Sequence, residues 1–305
     1  MEQRPRPLSA STRDRALSFA AVADAYDRAR PSYPREAAEW LTGRVPSTVV
    51  ELGAGTGKLT DRLVELGHDV LATDPLDEML AHLRLRHPDL RVATAPAEQI
   101  PAATRSVDTV VAAQSFHWFD AAQALREVAR VLKPEGRVAL VWNVRDERVP
   151  WVRKLGELIS TQEQDVDPSD VLVGSRHFGY VEEATFRHWQ PLRRRELRDL
   201  ALSRSNVAVL DPSAQERVLR KVDELFDDYS RGPDGLLLPY VARCYRAVVR
   251  PRGHIDEPEH SADLTAAAQA AREASELPRE RAAQGEEHPE GLDEDGPATT
   301  LIDFR

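Results

Sequence analysis

The sequence predicts a doubly wound α/β domain, a Rossmann-like sheet of about seven mostly parallel strands with helices on both faces. Three observations carry that expectation. Short, nearly continuous apolar runs recur between residues 48 and 142. Amphipathic segments of helical length separate them, and a glycine-rich turn joins the first run to the first such segment. Apolar strands that alternate with amphipathic helices belong to a parallel sheet covered on both sides.

The first strand is Thr48–Leu52, a β-branched and apolar run. A helix is expected over 58–66, a strand over 69–73 and a helix over 76–86. Strands at 107–112 and 137–142 then bracket a helix over 121–132, in which Leu125, Val128, Ala129 and Leu132 share one face. Helical spacing also marks 18–27, 151–162 and 211–226; the last opens on Asp-Pro and carries Val218, Val222, Leu225 and Phe226. Late strands are expected at 185–190 and over Leu236–Val249.

Composition narrows the class. The 305 residues are 41% hydrophobic and 30% charged, which suffices for a sizeable core. The longest apolar stretches fall well short of the roughly 20 residues that span a bilayer. The start, MEQRPRPLSASTRDR, is charged and has no apolar signal region. The single cysteine, Cys244, excludes a disulfide framework and a multi-cysteine metal site. A soluble, cytoplasmic protein is expected. Residues 251–305 hold 14 acidic and 5 basic side chains, a balance of −9 within a net charge of −10. The rest of the chain is near neutral, so global charge gives no case for nucleic acid. With few large apolar side chains, that tail cannot offset its ordering entropy. The expected organisation is a flexible 1–14, a folded domain over 15–250 and a disordered acidic tail over 251–305, where an alanine-rich stretch at 262–283 favours a transient helix.

The most informative segment is VVELGAGTGKLT at 49–60. Its glycines permit a tight turn and a close approach of backbone to ligand beside a helix N-terminus. A nucleoside-triphosphate loop fails here, because Leu52 stands where glycine is needed and Leu59 follows Lys58. A dinucleotide fingerprint fails at Lys58, its sixth position. The spacing present is G-x-G-x-G, with Glu51 just before it. The second strand ends in Asp74, 17 residues past Gly57, where a carboxylate can accept from both ribose hydroxyls of an adenosine ligand.

With these residues in view, the chain resembles the class I S-adenosylmethionine-dependent methyltransferases, in particular the small-molecule group called methyltransferase type 11. The resemblance runs through FAAVADAYDRARPSYP (19–34), the glycine loop, TDPLDEML (73–80) and APAEQIP (95–101). It continues through SVDTVVAAQSFHWFD (106–120), VLKPEGRVALVWNVRD (131–146), ATFRHWQPL (184–192) and LLLPYVARCYRAV (236–248). One departure is Glu135, where relatives usually carry glycine in the turn before the fifth strand.

The resemblance implies S-adenosylmethionine as cofactor and a small-molecule acceptor, with no metal, nucleic acid or membrane involved. It implies that Gly53, Ala54 and Gly55 line the amino-acid end of the cofactor and that Glu51 engages its methionine part. Asp74 would hold the ribose, Met79 would lie against the adenosine, and Ala97 and Glu98 would meet the adenine edge. Tyr26, Arg30 and Tyr33 belong to a segment that folds over the cofactor in relatives, and Arg30 could pair with its carboxylate. Gln114 fits a cofactor contact at the exit of the fourth strand. His117 is the imidazole that the motif order places near the transferred methyl, as a general base or as pocket wall; Phe116, Trp118 and Phe119 would pack that wall. His68, His82 and His87 lack metal-ligand spacing. The insert after Asn143, with Trp151, Phe178, Tyr180 and Trp189, suggests a partly apolar acceptor. The arginines at 193, 194, 195 and 198 are open to two readings, an anion site or a solvated helix start. The rival functional classes are a non-catalytic adenosine-ligand-binding scaffold and an NAD(P)-dependent oxidoreductase.

Overall fold

In the computed structural model the described residues are 30–159, 169–230 and 235–251; the expected helix at 18–27 and the tail from 252 onward lie outside them. Seven strands form one sheet in the order β3-β2-β1-β4-β5-β7-β6. Strands β1 (Thr48–Leu52), β2 (Asp69–Asp74), β3 (Arg91–Thr94), β4 (Val107–Ala113) and β5 (Leu132–Arg145) pair in parallel. β7 (Leu236–Val249) runs antiparallel between β5 and β6 (Phe178–Leu192). From β1, the chain winds to one side through β2 and β3 and to the other through β4 and β5. A crevice outside the carboxyl ends of the strands opens at such a reversal.

Helices α1 (Arg35–Thr42), α2 (Thr60–Glu65), α3 (Asp77–Arg86) and α4 (Ala121–Val131) cover the sheet. Alternate residues of β1 enter different cores, as a period of two requires. Val50 and Leu52 join Leu125, Val128 and Leu140, whereas Val49 joins Leu41, Leu63 and Val141. Of the expected stripe, Leu125 and Val128 are buried on α4 and Ala129 is partly buried, whereas Leu132 already begins β5 and Val131 is the last buried residue of the helix. Asp120 starts α4, its carboxylate accepting from Gln123 N–H at 3.1 Å.

A separate helical cluster follows β5. It contains α5 (Pro150–Leu158), α7 (Arg194–Leu202), α8 (Ser205–Ala208) and α9 (Pro212–Tyr229), while the short α6 (Ser169–Val173) packs with β6 on the α4 side. Val152, Leu155, Leu197, Leu200, Val222 and Leu225 form the interior of the cluster against Leu238 and Tyr240 of β7. The Asp-Pro signal reads correctly. Asp211 caps α9 by accepting from Ser213 and Ala214 N–H, both at 2.9 Å, and Pro212 takes the first turn. Among the described residues no helix is long and apolar enough to cross a membrane.

Two elements exceed their expected length. β6 runs 15 residues rather than the six of 185–190, because its charged residues are the protection of a sheet edge and not the signature of a loop. β5 begins at Leu132, five residues early, and the added part contains the turn at Glu135. That residue has φ 65°, a left-handed conformation that costs a side-chain-bearing residue about 1–2 kcal/mol. Glycine at 135 removes the strain and returns about 0.4–1 kcal/mol of unfolded-state entropy. Glu135→Gly is therefore expected to stabilise the protein by up to about 1 kcal/mol, seen as a higher urea midpoint; a lower midpoint would contradict this account of the turn.

Candidate functional site

The site grows from the register of β1 and β2. Glu51 is opposite Ala72 and Leu52 opposite Thr73, so the strand ends bring Glu51 and Asp74 to one edge of the sheet. Both carboxylates are buried. Glu51 Oε2 accepts from Thr60 Oγ1 at 2.5 Å. Burial, together with the nearby charges of Asp61 and Asp74, pushes its pKa up to about 8 despite that bond. Asp74 accepts from Gly55 N–H and Leu76 N–H, each at 2.9 Å. Burial still raises it to about 6. Each Asp74 oxygen keeps a second lone pair for a ligand hydroxyl.

The glycines of the loop have different jobs. Gly53 (φ 67°) is pressed so close to β4 that a Cβ there would stand 2.5 Å from Ser115 Cβ. Ser115 in turn donates its hydroxyl to Leu52 O at 2.8 Å, locking the exits of β1 and β4 together. Gly57 is closed by Leu83 in the same way, so both residues serve internal packing. Gly55 (φ 56°) differs: an added Cβ would meet only the Met79 methyl, at 3.5 Å. Ala54 N–H is taken by Thr73 O at 2.9 Å. Thr56 Oγ1 is buried with no hydrogen-bond partner among the described residues.

Around this loop the expected residues divide. Met79 is buried beside Gly55. Ala97 belongs to the core under α4. Glu98 accepts from the Asp120 N–H at 2.6 Å and so holds the start of α4. Gln114 leaves β4 with φ 51° and accepts from Tyr33 Oη at 3.1 Å. Arg30 is half-buried at the start of the described residues, and Tyr26 lies outside them. His117 is half-buried with its ring against Trp118, centroids 4.7 Å apart. Phe116 and Phe119 are buried edge to face, while Trp118 is exposed.

Other expectations dissolve. Tyr180 and Trp189 face solvent on the edge strand, Phe178 is buried beneath α6, and Trp151 packs on the helical cluster, so these aromatics do not gather into an acceptor wall. Arg194 and Arg198 are held by Asp223 and Asp227 of α9 as an interhelical clamp, while Arg195 is exposed and pairs with Asp199 of its own helix. Sequence reading passed over Thr60, Ser115, Asn143 and His188. Ser115 carried the one available signal, its place in the strand-exit run QSFHWF.

Residues 50–140 match the methyltransferase domain family. An uncharacterized methyltransferase of Mycobacterium tuberculosis is 44% identical over 245 residues, which cover 79% of this chain and all of that protein. The chain belongs to the methyltransferase family. An uncharacterized methyltransferase-like protein of Schizosaccharomyces pombe is 38% identical over 244 residues, 75% of this methyltransferase and 94% of its relative. In fold, the chain is similar to a candidate type II methyltransferase from Anaeromyxobacter dehalogenans, with TM-score 0.52, 24% identity, and coverage of 72% and 97% of the two chains.

For this methyltransferase the loop glycines differ in how much room a side chain would find. Gly53→Ala adds an overlap with Ser115 to the left-handed strain, whereas Gly55→Ala carries only the strain, about 1–2 kcal/mol. Thermal unfolding should show Gly53→Ala as the less stable variant. Calorimetry should show Gly55→Ala, still folded, losing most of its affinity for S-adenosylhomocysteine, the demethylated product. Wild-type affinity in Gly55→Ala would remove the open side of the loop from the ligand surface.

Proposed function

We propose that the crevice at the ends of β1, β2 and β4 binds S-adenosylmethionine and that the enzyme transfers its methyl group to an oxygen, nitrogen or carbon of a small-molecule acceptor. The observation that carries this reading is the pair of buried carboxylates of raised pKa at the ends of β1 and β2, with Asp74 accepting from the Gly55 N–H of the loop between them. Such a pair suits a ligand with a cationic amino group at one end and a diol at the other. The orphaned Thr56 hydroxyl beside them adds an unanswered polar group.

In this reading Glu51 holds the methionine ammonium and Asp74 the ribose. Gly53, Ala54 and Gly55 supply the backbone wall, and Met79 covers the adenosine. Ala97 and Glu98 stand at the adenine edge. Arg30, with Tyr26 from the preceding segment, serves the methionine carboxylate, and Gln114 closes the β4 side. His117 stands at the β4 exit, as pocket wall or as proton acceptor. When bound, S-adenosylmethionine supplies a methyl group already activated by its sulfonium centre. The chain's own work is then alignment and the exclusion of water, an effect that reaches about 7–11 kcal/mol in favourable cases.

The raised carboxyl of Glu51 makes the reading testable by pH. Near pH 7 the free protein keeps Glu51 mostly protonated. A cation beside it favours the ionised form, so binding expels a proton and affinity rises with pH until about pH 8. Calorimetry with S-adenosylhomocysteine in buffers of different ionisation enthalpy should reveal proton release between pH 6 and 8, and Glu51→Gln should abolish it. No measurable affinity in the wild type would end the proposal. Methyl-labelled donor incubated with a metabolite extract should yield a labelled product whose mass identifies the acceptor. Slowed labelling by His117→Ala with unchanged S-adenosylhomocysteine binding would assign the proton-acceptor role to His117; wild-type turnover would leave it the wall role alone.

A further inference from the structure

A hydrogen-bonded line on the same end of the sheet is not used by the donor site. It starts from a group of fixed polarity. The Ser32 carbonyl can only accept, so the Asn143 atom 3.2 Å away is Nδ2, and Asn143 Oδ1 is turned to the other side. His188 Nε2 lies 2.9 Å from that oxygen. An amide oxygen has no hydrogen to give, so Nε2 carries the proton. Burial holds His188 below the usual histidine range. A neutral imidazole protonated at Nε2 has a lone pair on Nδ1.

That Nδ1 has no hydrogen-bond partner among the described residues, and it is not among the polar atoms sealed from solvent. The ring is held in place. It stacks on Tyr240 with centroids 5.5 Å apart and planes 20° from parallel, and Asn143 is buried. Register explains the reach. His188 is opposite Tyr240, which is opposite Arg145, and Asn143 is opposite Ala242, so the side chains share one face across three strands.

The position points to the acceptor. Asn143 lies at the carboxyl end of β5, two residues beyond Val141, which pairs with Ala113 at the end of β4. Ser32, which orients Asn143, is followed by Tyr33, which bonds Gln114 at the β4 exit. Ligands of open α/β sheets sit outside these strand ends. We propose that His188 Nδ1 receives the hydrogen bond, and then the proton, of an O–H or N–H acceptor, with Asn143 as the positioning residue that fixes its tautomer. The inference rests on the function proposed above. In the balanced step the acceptor's lone pair forms the new bond to the methyl carbon, and the electron pair of the broken carbon–sulfur bond stays on sulfur. The acceptor's proton passes to Nδ1, and the imidazolium later returns it to water.

His188→Gln is the discriminating variant. Its amide nitrogen can keep the bond to Asn143 Oδ1, and with it the fold, while the acceptor at Nδ1 is lost. With methyl-labelled donor and a metabolite extract, His188→Gln should label product about a hundredfold or more slowly than wild type, with unchanged calorimetric affinity for S-adenosylhomocysteine. In wild-type protein labelled with ¹⁵N-histidine, NMR should show the ring absent from the His188→Gln spectrum as neutral and protonated at Nε2. Labelling by His188→Gln at the wild-type rate, or a proton on Nδ1 in the wild type, overturns the role of His188. Loss of labelling confined to His117→Ala does so as well. Absence of S-adenosylhomocysteine affinity in the wild type is a different result and removes the underlying function instead.

Discussion

Two acids buried at neighbouring strand ends are the constraint around which the domain is arranged. The parallel register of β1 and β2 brings Glu51 and Asp74 to one edge, and the loop and helix that follow supply only partial compensation, from Thr60, Gly55 and Leu76. The consequence for stability has a definite sign. Between the ordinary value of 4.5 and about 8, folded Glu51 keeps a proton that the unfolded chain has lost, so stability falls as pH rises through that window. Asp74 adds the same sign between 3.8 and about 6. Such a pair weakens the ligand-free fold and strengthens the bound one, the usual relation between a poised site and the scaffold that holds it.

The surrounding contacts keep that pair in position. Gly53 leaves no room between β1 and β4, and Ser115 closes the join through the Leu52 carbonyl. Ala54 is tied back to Thr73, so the loop is bonded to both neighbouring strands before it reaches Gly55. Gln114 accepts a left-handed backbone at the β4 exit, and the Tyr33 hydroxyl bonds its side chain there. Gly55 is the loop glycine at which an added Cβ would meet no neighbour more tightly than ordinary contact, at the Met79 methyl.

What could be read in the sequence follows from distance along the chain. The strand, loop, helix, strand and terminal acid from Thr48 to Asp74 form one contiguous unit, and each piece has a local signature in periodicity, glycine or charge. The stripe on α4 and the Asp211 cap of α9 were readable for the same reason. Only the 185–190 part of edge strand β6 was, because Glu182 and Glu183 give its first half the composition of a loop until its place at the sheet edge is known. The aromatic insert misled: aromatic content does not say which face of an edge strand a ring occupies. Asn143 and His188 stand 45 residues apart, and only the β5-β7-β6 order puts them on one face.

Donor and acceptor sides are therefore built from different material. The proposed donor side is local, drawn from β1, β2 and the loop between them, where both acids are buried. The proposed acceptor side is assembled from the end of β5, a residue of β6 and the backbone of the segment before α1. Such an arrangement lets substrate preference change by substitution in β6 or in that segment without disturbing the carboxylates. The two sides still share one short stretch of chain. Ser32 orients Asn143 through its carbonyl, and Tyr33 binds Gln114 through its hydroxyl. Adjacent residues of one short segment thus hold a side chain at the β5 end and a side chain at the β4 exit.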